Sequence, residues 1–172
     1  MSNDLSQKYS KTTRITHGLT ALFILALFPL GKYMTGLETT EKMGLIKVHI
    51  ALGLIVFALT ILRSYSYFKH ERPTEIKTGS KLNDRLIAWI HNAFYFLLFA
   101  IAISGLATMF LGGYGEALQS SNPNLIKPAA EIPPLKAHGI TSLLMMLLLV
   151  MHVVGFIKHW IAKKENTLTR VI

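Results

Sequence analysis

The chain contains no cysteine, and acidic residues are scarce, with 9 Asp and Glu against 18 Lys and Arg in 172 residues. Without a thiol the protein has no disulfide, no cysteine-ligated zinc or iron–sulfur cluster, no thiol nucleophile and no haem attached through a Cys-x-x-Cys-His motif. Charged residues make up only 16% of the chain and hydrophobic residues 51%, which excludes a disordered chain. For this length we expect a single domain over residues 1–172.

Long stretches without charge explain the low charged fraction. Four uncharged runs cover 15–31, 48–62, 86–115 and 137–157. A helix needs about 20 apolar residues to cross the hydrocarbon core of a bilayer. Aromatic residues beside the shorter runs suit the interface, and flanking Lys and Arg side chains can snorkel to water. We therefore predict four membrane-spanning helices, over residues 10–35, 43–68, 83–111 and 135–163.

The basic residues are distributed unevenly between the two sides of these spans. Both tails and the loop 63–85 hold 13 of the 18, whereas loops 32–47 and 112–136 hold 5. The side richer in Lys and Arg is expected to be cytoplasmic. The sequence thus predicts an all-α, integral membrane four-helix bundle in up-down-up-down order, with both termini cytoplasmic. This topology accounts for the net charge of +9, so the expected partner is the lipid bilayer and no nucleic acid.

Five histidines lie within or at the edges of the predicted spans: His17, His49, His91, His138 and His152. Ionisable residues in a membrane are costly and are by default candidates for function. The separation of His138 and His152 along the chain corresponds to about four helical turns, which places them on one helix face and about 21 Å apart along its axis. That spacing is too long for one shared metal but suits two stacked porphyrins, each taking one imidazole from this helix.

Matching depths in the membrane indicate the partners of these two histidines. His49 begins the second span at the outer face, where it can share a haem with His138. His17 lies near the inner start of the first span, where it can pair with His152, although His91 reaches a similar depth and stays an alternative. Neutral imidazoles place no charge in hydrocarbon, and two of them close both axial positions of the iron, which suits electron transfer.

Glycines also stand beside these histidines in the sequence: Gly18, Gly53, Gly139 and Gly155. They would let a flat macrocycle approach the helix backbone. Close packing of helices through small residues is the other interpretation.

Several stretches resemble the bacterial cytochrome b-561 family, whose members are stand-alone four-helix dihaem proteins of the inner membrane. They are Tyr-Ser-Lys-Thr-Thr-Arg-Ile-Thr-His17, Lys47-Val-His49 with Gly53, Leu135-Lys136-Ala-His138, and His159-Trp160 followed by Lys164-Glu165-Asn166-Thr167-Leu168-Thr169-Arg170. The resemblance covers nearly the whole chain. It implies two haem b groups whose axial, iron-binding ligands are His17, His49, His138 and His152. Gly18 departs from the family, which often has Trp after this first histidine.

The resemblance also implies an activity, because similar family members are superoxide:ubiquinone oxidoreductases. It makes periplasmic superoxide the expected electron donor and ubiquinone the expected acceptor, with no catalytic residue assigned. Lys47 and Lys136 each precede an outer histidine by two residues and are candidates for steering superoxide; snorkelling or pairing with haem propionates is the alternative. His159 lies about 10.5 Å beyond His152 on the same face. With Trp160 it is a candidate quinone site, or else part of the interfacial aromatic belt.

Two other functions are compatible with the sequence. The chain could be a cytochrome b anchor subunit that passes electrons between quinone and a dehydrogenase or hydrogenase, in which case it has a redox partner protein. It could also be a membrane scaffold without haem, whose histidines relay protons. An absorption spectrum separates this last function from the others, since haem between paired imidazoles has sharp α and Soret bands when reduced.

Overall fold

The computed structural model describes residues 5–70 and 72–171, and within them the chain is helical, with no strand. Four long helices dominate: α1 (Lys11–Met34), α2 (Thr39–Lys69), α3 (Lys81–Leu111) and α5 (Pro133–Lys163). A short helix, α4 (Tyr114–Ser120), lies in the loop between α3 and α5. Single 3₁₀ turns span Pro123–Leu125, Ala129–Glu131 and Thr167–Arg170. The all-helical, four-span prediction is confirmed, with every long helix beginning within four residues of its predicted start.

Local chemistry determines where the helices begin. The hydroxyl of Ser10 accepts a hydrogen bond from the Thr13 amide at 3.2 Å, which satisfies one of the free amides at the start of α1. Glu38 and Glu41 form a capping box at the start of α2, and Pro133 occupies the first turn of α5, where its missing amide proton costs nothing. α3 ends at Leu111 and is capped by Gly112; the next residue, Gly113, has a φ of 77°, a conformation that glycine adopts without strain.

The surface of the four long helices is apolar. All four are long and apolar enough to cross a membrane, and in their most hydrophobic windows only 6–17% of residues are buried inside the bundle. Large side chains point outward, among them Phe68, Trp89, Phe96 and Phe110, each at least 72% exposed. A water-soluble bundle would cover such a surface with polar residues. The protein is therefore a multi-pass membrane protein.

The helices pack as two pairs. α1 packs mainly on α2, and α3 mainly on α5, whereas the interface between α2 and α3 is much smaller. The apolar core lies halfway along the bundle and consists of Leu27, Val56, Leu97, Leu98 and Met145. On one side of this central layer, a cavity lined by residues of all four long helices lies between the pairs.

Arg170 ties together the chain segments at one end of the bundle. Its side chain is only 3% exposed, and it donates hydrogen bonds to the carbonyl oxygens of Gln7 at 3.0 Å and Thr74 at 2.8 Å. The Tyr9 amide donates in turn to the Arg170 carbonyl at 3.1 Å. The N-terminal tail, the α2–α3 loop and the C-terminal tail thus meet at the same end.

Replacing Arg170 by alanine should destabilise the fold. Hydrogen bonds from a charged group contribute about 1.5–3 kcal/mol each, so we expect Arg170→Ala to lower the Tm by about 5 °C or more. Circular dichroism of the detergent-solubilised protein during heating measures this. Arg85→Ala removes an exposed arginine of α3 and is the control. Equal Tm values for both variants would contradict the role assigned to Arg170.

Candidate functional site

His49 of α2 and His138 of α5 face each other near one end of the bundle. Their ring centroids are 6.1 Å apart and their planes are inclined at 75°. Imidazole nitrogens bind transition metals at about 2 Å, so two rings on opposite sides of one metal have centroids roughly 6 Å apart. The two rings thus stand at the separation that a single metal between them requires.

A hydrogen bond fixes the protonation of His138. Its Nδ1 lies 2.9 Å from the carbonyl oxygen of Ile101 and 3.3 Å from the hydroxyl oxygen of Ser104. A carbonyl oxygen can only accept, so Nδ1 carries the proton and donates it. In the neutral ring Nε2 then has a free lone pair, the form in which histidine binds a metal.

Two glycines on neighbouring helices make room for these rings. A Cβ atom at Gly105 of α3 would lie 3.1 Å from Cε1 of His138, and one at Gly31 of α1 would lie 3.4 Å from Cε1 of His49. Gly105 follows the hydrogen-bonding residue Ile101 by four residues, one helical turn. A side chain at Gly105 would therefore push the His138 ring away from that carbonyl.

His49 lies against α1, as His138 lies against α3. Its Nδ1 is buried and has no hydrogen-bond partner. The residue one turn before Gly31 is Leu27, which corresponds to Ile101 on the other helix pair. A buried polar atom without a partner is unusual in a native structure; this one lies on the α1 side of the ring, where an added Cβ at Gly31 would be 3.9 Å from it.

A second cluster of histidines lies toward the other end of the bundle. His17 of α1, His91 of α3 and His152 of α5 line one cavity, together with Arg63 of α2. The rings of His91 and His152 are 5.5 Å apart at 87°. Nδ1 of His91 donates to the Ile87 carbonyl at 2.7 Å, so its Nε2 also has a free lone pair. The structure thus brings together both predicted inner ligands and their competitor.

The packing of the helices distinguishes His17 from His91. At the outer level, His49 and His138 come from different helix pairs. His91 and His152 belong to the same pair, α3 and α5, whereas His17 belongs to the other. A flat macrocycle between the two pairs would be held by one histidine from each, which favours His17 as the partner of His152.

Met145 separates the two levels. It lies seven residues from both His138 and His152 on α5 and is only 3% exposed. It belongs to the central apolar layer and also lines the inner cavity. The two histidine levels therefore stand about 21 Å apart along α5, with closely packed apolar side chains between them.

No group of three or more histidine and carboxylate side chains suited to a metal occurs in residues 5–70 and 72–171. A metal bound by protein atoms alone needs at least three such ligands. Opposed pairs are instead suited to an iron whose other four bonds come from a porphyrin. The donor set and the tautomer of His138 both fit haem.

The predicted quinone residues have other contacts. Nε2 of His159 lies 3.0 Å from a carboxylate oxygen of Glu165, and both side chains are largely buried. Trp160 stacks on Phe156 with ring centroids 6.0 Å apart and is 47% exposed. Neither His159 nor Trp160 lines the cavity that contains His152. The structure therefore places them beyond the inner histidine cluster, next to the C-terminal tail.

The two lysines predicted to steer an anion are exposed, as steering requires. Lys47 lines an open cavity with Thr40, Met43, Ser121 and Pro123, and Lys136 lies on the first turns of α5. In the described ranges 5–70 and 72–171, no carboxylate forms an ion pair with either lysine. Both ammonium groups can therefore act on an approaching anion.

Sequence reasoning missed Gly31, Gly105 and Arg63. The four glycines singled out next to histidines in the sequence have no other atom within 4 Å of an added Cβ. The glycines that contact the rings lie on the neighbouring helices at equal depth, so a comparison of depths across helices could have found them. Arg63 follows His49 at the same spacing that separates His152 from His138, so the repeat of that spacing on α2 was the signal for it.

Comparison with known protein families identifies the family of the chain. The family model for prokaryotic cytochrome b561 matches residues 8–172, almost the whole chain. No curated protein matches the chain. The resemblance drawn from the short motifs is thus confirmed for the family as a whole.

Enlarging Gly105 should disturb the His138 ring. We expect Gly105→Val to displace it from the Ile101 carbonyl, because the added Cβ would lie 3.1 Å from the ring. The b-type haem bound per chain should then fall by roughly half, since packed helices yield little to added methyl groups. A pyridine haemochrome assay measures haem content. Gly44→Val, where a Cβ meets nothing within 4 Å, should keep full haem content; equal loss in both variants would contradict the prediction.

Proposed function

Because the chain belongs to the prokaryotic cytochrome b561 family, we propose that it carries electrons across the membrane through two b-type haems, each held between two histidines. Family membership makes it a membrane protein of electron transfer that uses b-type haem. The presence of two haems and their ligation by paired histidines go beyond what family membership establishes. The observation that carries it is the opposed pair of His49 and His138, with ring centroids 6.1 Å apart.

In this proposal His49 and His138 hold the outer haem, and His17 and His152 hold the inner one. A bound haem supplies an iron that gains and loses one electron. The protein contributes neutral imidazoles at both axial positions, which leave no open position for oxygen and favour electron transfer over oxygen binding. The hydrogen bond from Nδ1 of His138 to Ile101 keeps that imidazole in the tautomer that ligates.

The proposed orientation follows from charge. The end at which Arg170 joins both tails to the α2–α3 loop carries most of the basic residues, so we place it in the cytoplasm. His49 and His138 then lie toward the periplasm, and His17 and His152 toward the cytoplasm. In a bacterium this corresponds to the inner membrane.

For the reaction we propose that periplasmic superoxide is oxidised and ubiquinone is reduced. Two superoxide anions lose one electron each and become two molecules of dioxygen. One ubiquinone takes both electrons, together with two protons, and becomes ubiquinol. Lys47 and Lys136 support this donor, because unpaired exposed cations near the outer histidines attract a small anion.

The acceptor is proposed to bind near His159 and Trp160. His159 contacts Glu165 at 3.0 Å, so the two side chains can share and pass a proton, as quinone reduction needs. The exposed ring of Trp160 offers an apolar surface at the edge of the membrane, where a lipid-soluble quinone arrives.

Histidine variants test the two-haem proposal. We expect His49→Ala, His138→Ala, His152→Ala and His17→Ala each to lower the haem content from two per chain to one, because each removes one axial bond. His91→Ala should keep both haems. The pyridine haemochrome assay gives the content, and His70→Ala, at the end of α2, is the control. Retention of both haems in His138→Ala and His152→Ala would refute the proposal, and loss in His91→Ala would reassign the inner ligand.

Stopped-flow reduction by superoxide tests the reaction. We expect the double variant Lys47→Gln/Lys136→Gln to be reduced several-fold more slowly than the wild type at low ionic strength. The difference should fade above about 0.1 M salt, where exposed charges are screened. Lys158→Gln, at the opposite end, should react like the wild type. If superoxide reduces neither haem while a quinol does, the function is that of a quinone-linked anchor subunit.

A further inference from the structure

α2 repeats the spacing that defines the two histidine levels on α5. Arg63 follows His49 at the same distance along the sequence as His152 follows His138. This spacing of about four helical turns brings a side chain back to within about 40° of the same helix face and about 21 Å along the axis. In agreement, Arg63 lines the inner cavity together with His17 and His152. At the inner level α2 therefore presents a cation where α5 presents a histidine.

The guanidinium of Arg63 is held toward the bundle. Its central carbon lies 5.4 Å from the ring centroid of Tyr95 on α3, a cation–π contact that keeps the side chain between the helix pairs. Its Nε is buried and has no hydrogen-bond partner. The contact with Tyr95 fixes the position of the cation but leaves that donor unsatisfied.

Among residues 5–70 and 72–171, no acidic side chain forms an ion pair with Arg63. In the described part of the chain, the ion pairs are Lys77 with Glu75 and His159 with Glu165, and Arg63 belongs to neither. The histidines around it are neutral when they ligate a metal, so they offer no negative charge. A cation inside a membrane bundle is costly without a counter-charge. An anionic group of a molecule bound in this cavity would therefore stabilise Arg63.

We propose that Arg63 binds a propionate carboxylate of the haem in the inner site. This inference rests on the proposed function, which places a haem between His17 and His152. The propionates are the anionic groups of haem b, and the planar guanidinium matches a carboxylate with two parallel hydrogen bonds. Arg63 thereby orients the inner haem, with its carboxylate edge toward α2. A lipid phosphate is the other oxyanion that such a group could take.

The rate of haem release distinguishes a haem propionate from a lipid phosphate as the anion that Arg63 binds. The wild type and the variants Arg63→Gln and Arg63→Lys are loaded with haem b or with its dimethyl ester, which lacks free carboxylates. Transfer of haem to apomyoglobin is then followed by absorbance. We expect Arg63→Gln to release one of its two haem b groups at least about tenfold faster than the wild type, the size of a lost charged hydrogen bond. With the ester, wild type and variant should release at equal rates.

Two further variants provide the controls. Arg63→Lys keeps the cation but not the paired donors, so its release of haem b should fall between the other two. If Arg63→Gln retains too little inner haem to measure, the comparison of haem b with the ester is made on Arg63→Lys. Arg85→Gln removes an exposed arginine from the same side and should behave like the wild type.

Two results would overturn the inference. One is unchanged release of haem b from Arg63→Gln. The other is equal acceleration with haem b and with the ester, which would mean that Arg63 pairs with a lipid phosphate or supports the fold. Both results leave the two-haem proposal intact, because they concern a wild type that holds two haems. A wild type that binds fewer than two haems would instead refute the proposed function.

Discussion

The site depends on the hydrogen bond that fixes the proton of a histidine buried in the membrane. Away from water, each ring nitrogen needs a partner within the protein or a bound group. The Ile101 carbonyl accepts a hydrogen bond from Nδ1 of His138 at 2.9 Å, which leaves the lone pair of Nε2 free to ligate. Because Gly105 lies one turn beyond Ile101, α3 allows the ring to reach that carbonyl. Ligand, tautomer and helix packing are thus determined together.

A spacing of about four helical turns extends this arrangement to two levels. On α5 it separates His138 from His152, and Met145 lies midway in the core. On α2 it separates His49 from Arg63. At the outer level the groups that face each other are two histidines, whereas at the inner level histidines line a cavity together with the cation of Arg63. The two levels differ in charge although the same helix geometry builds both, so the reduction potential of a group bound at each level should differ too.

The sequence predicted the helices well because bilayer thickness and charge restrict where they can begin and end. Pro133 and Ser10 define the starts of α5 and α1 more closely. The short helix α4 was not predicted, because it lies in a polar loop. The axial ligands remain predictions. Gly31, Gly105 and the contact of His159 with Glu165 were not predicted, because they depend on which helices are neighbours and on how the tail folds back. Gly18 and Gly139, which neighbour histidines in the sequence, have no other atom within 4 Å of an added Cβ, and their role beside a macrocycle stays a prediction.

The charge at the inner level bears on the direction of electron flow. In the proposed reaction electrons move from the periplasmic to the cytoplasmic side, against a membrane potential that is negative inside. Moving one charge through 100 mV costs about 2.3 kcal/mol. In the proposal Arg63 offsets the charge of a propionate and so lowers the cost of a negative charge arriving in the inner cavity, and protons taken up from the same side through His159 and Glu165 would neutralise that charge. Arg63 and the His159–Glu165 pair therefore favour the electron at the end where it would otherwise be least stable.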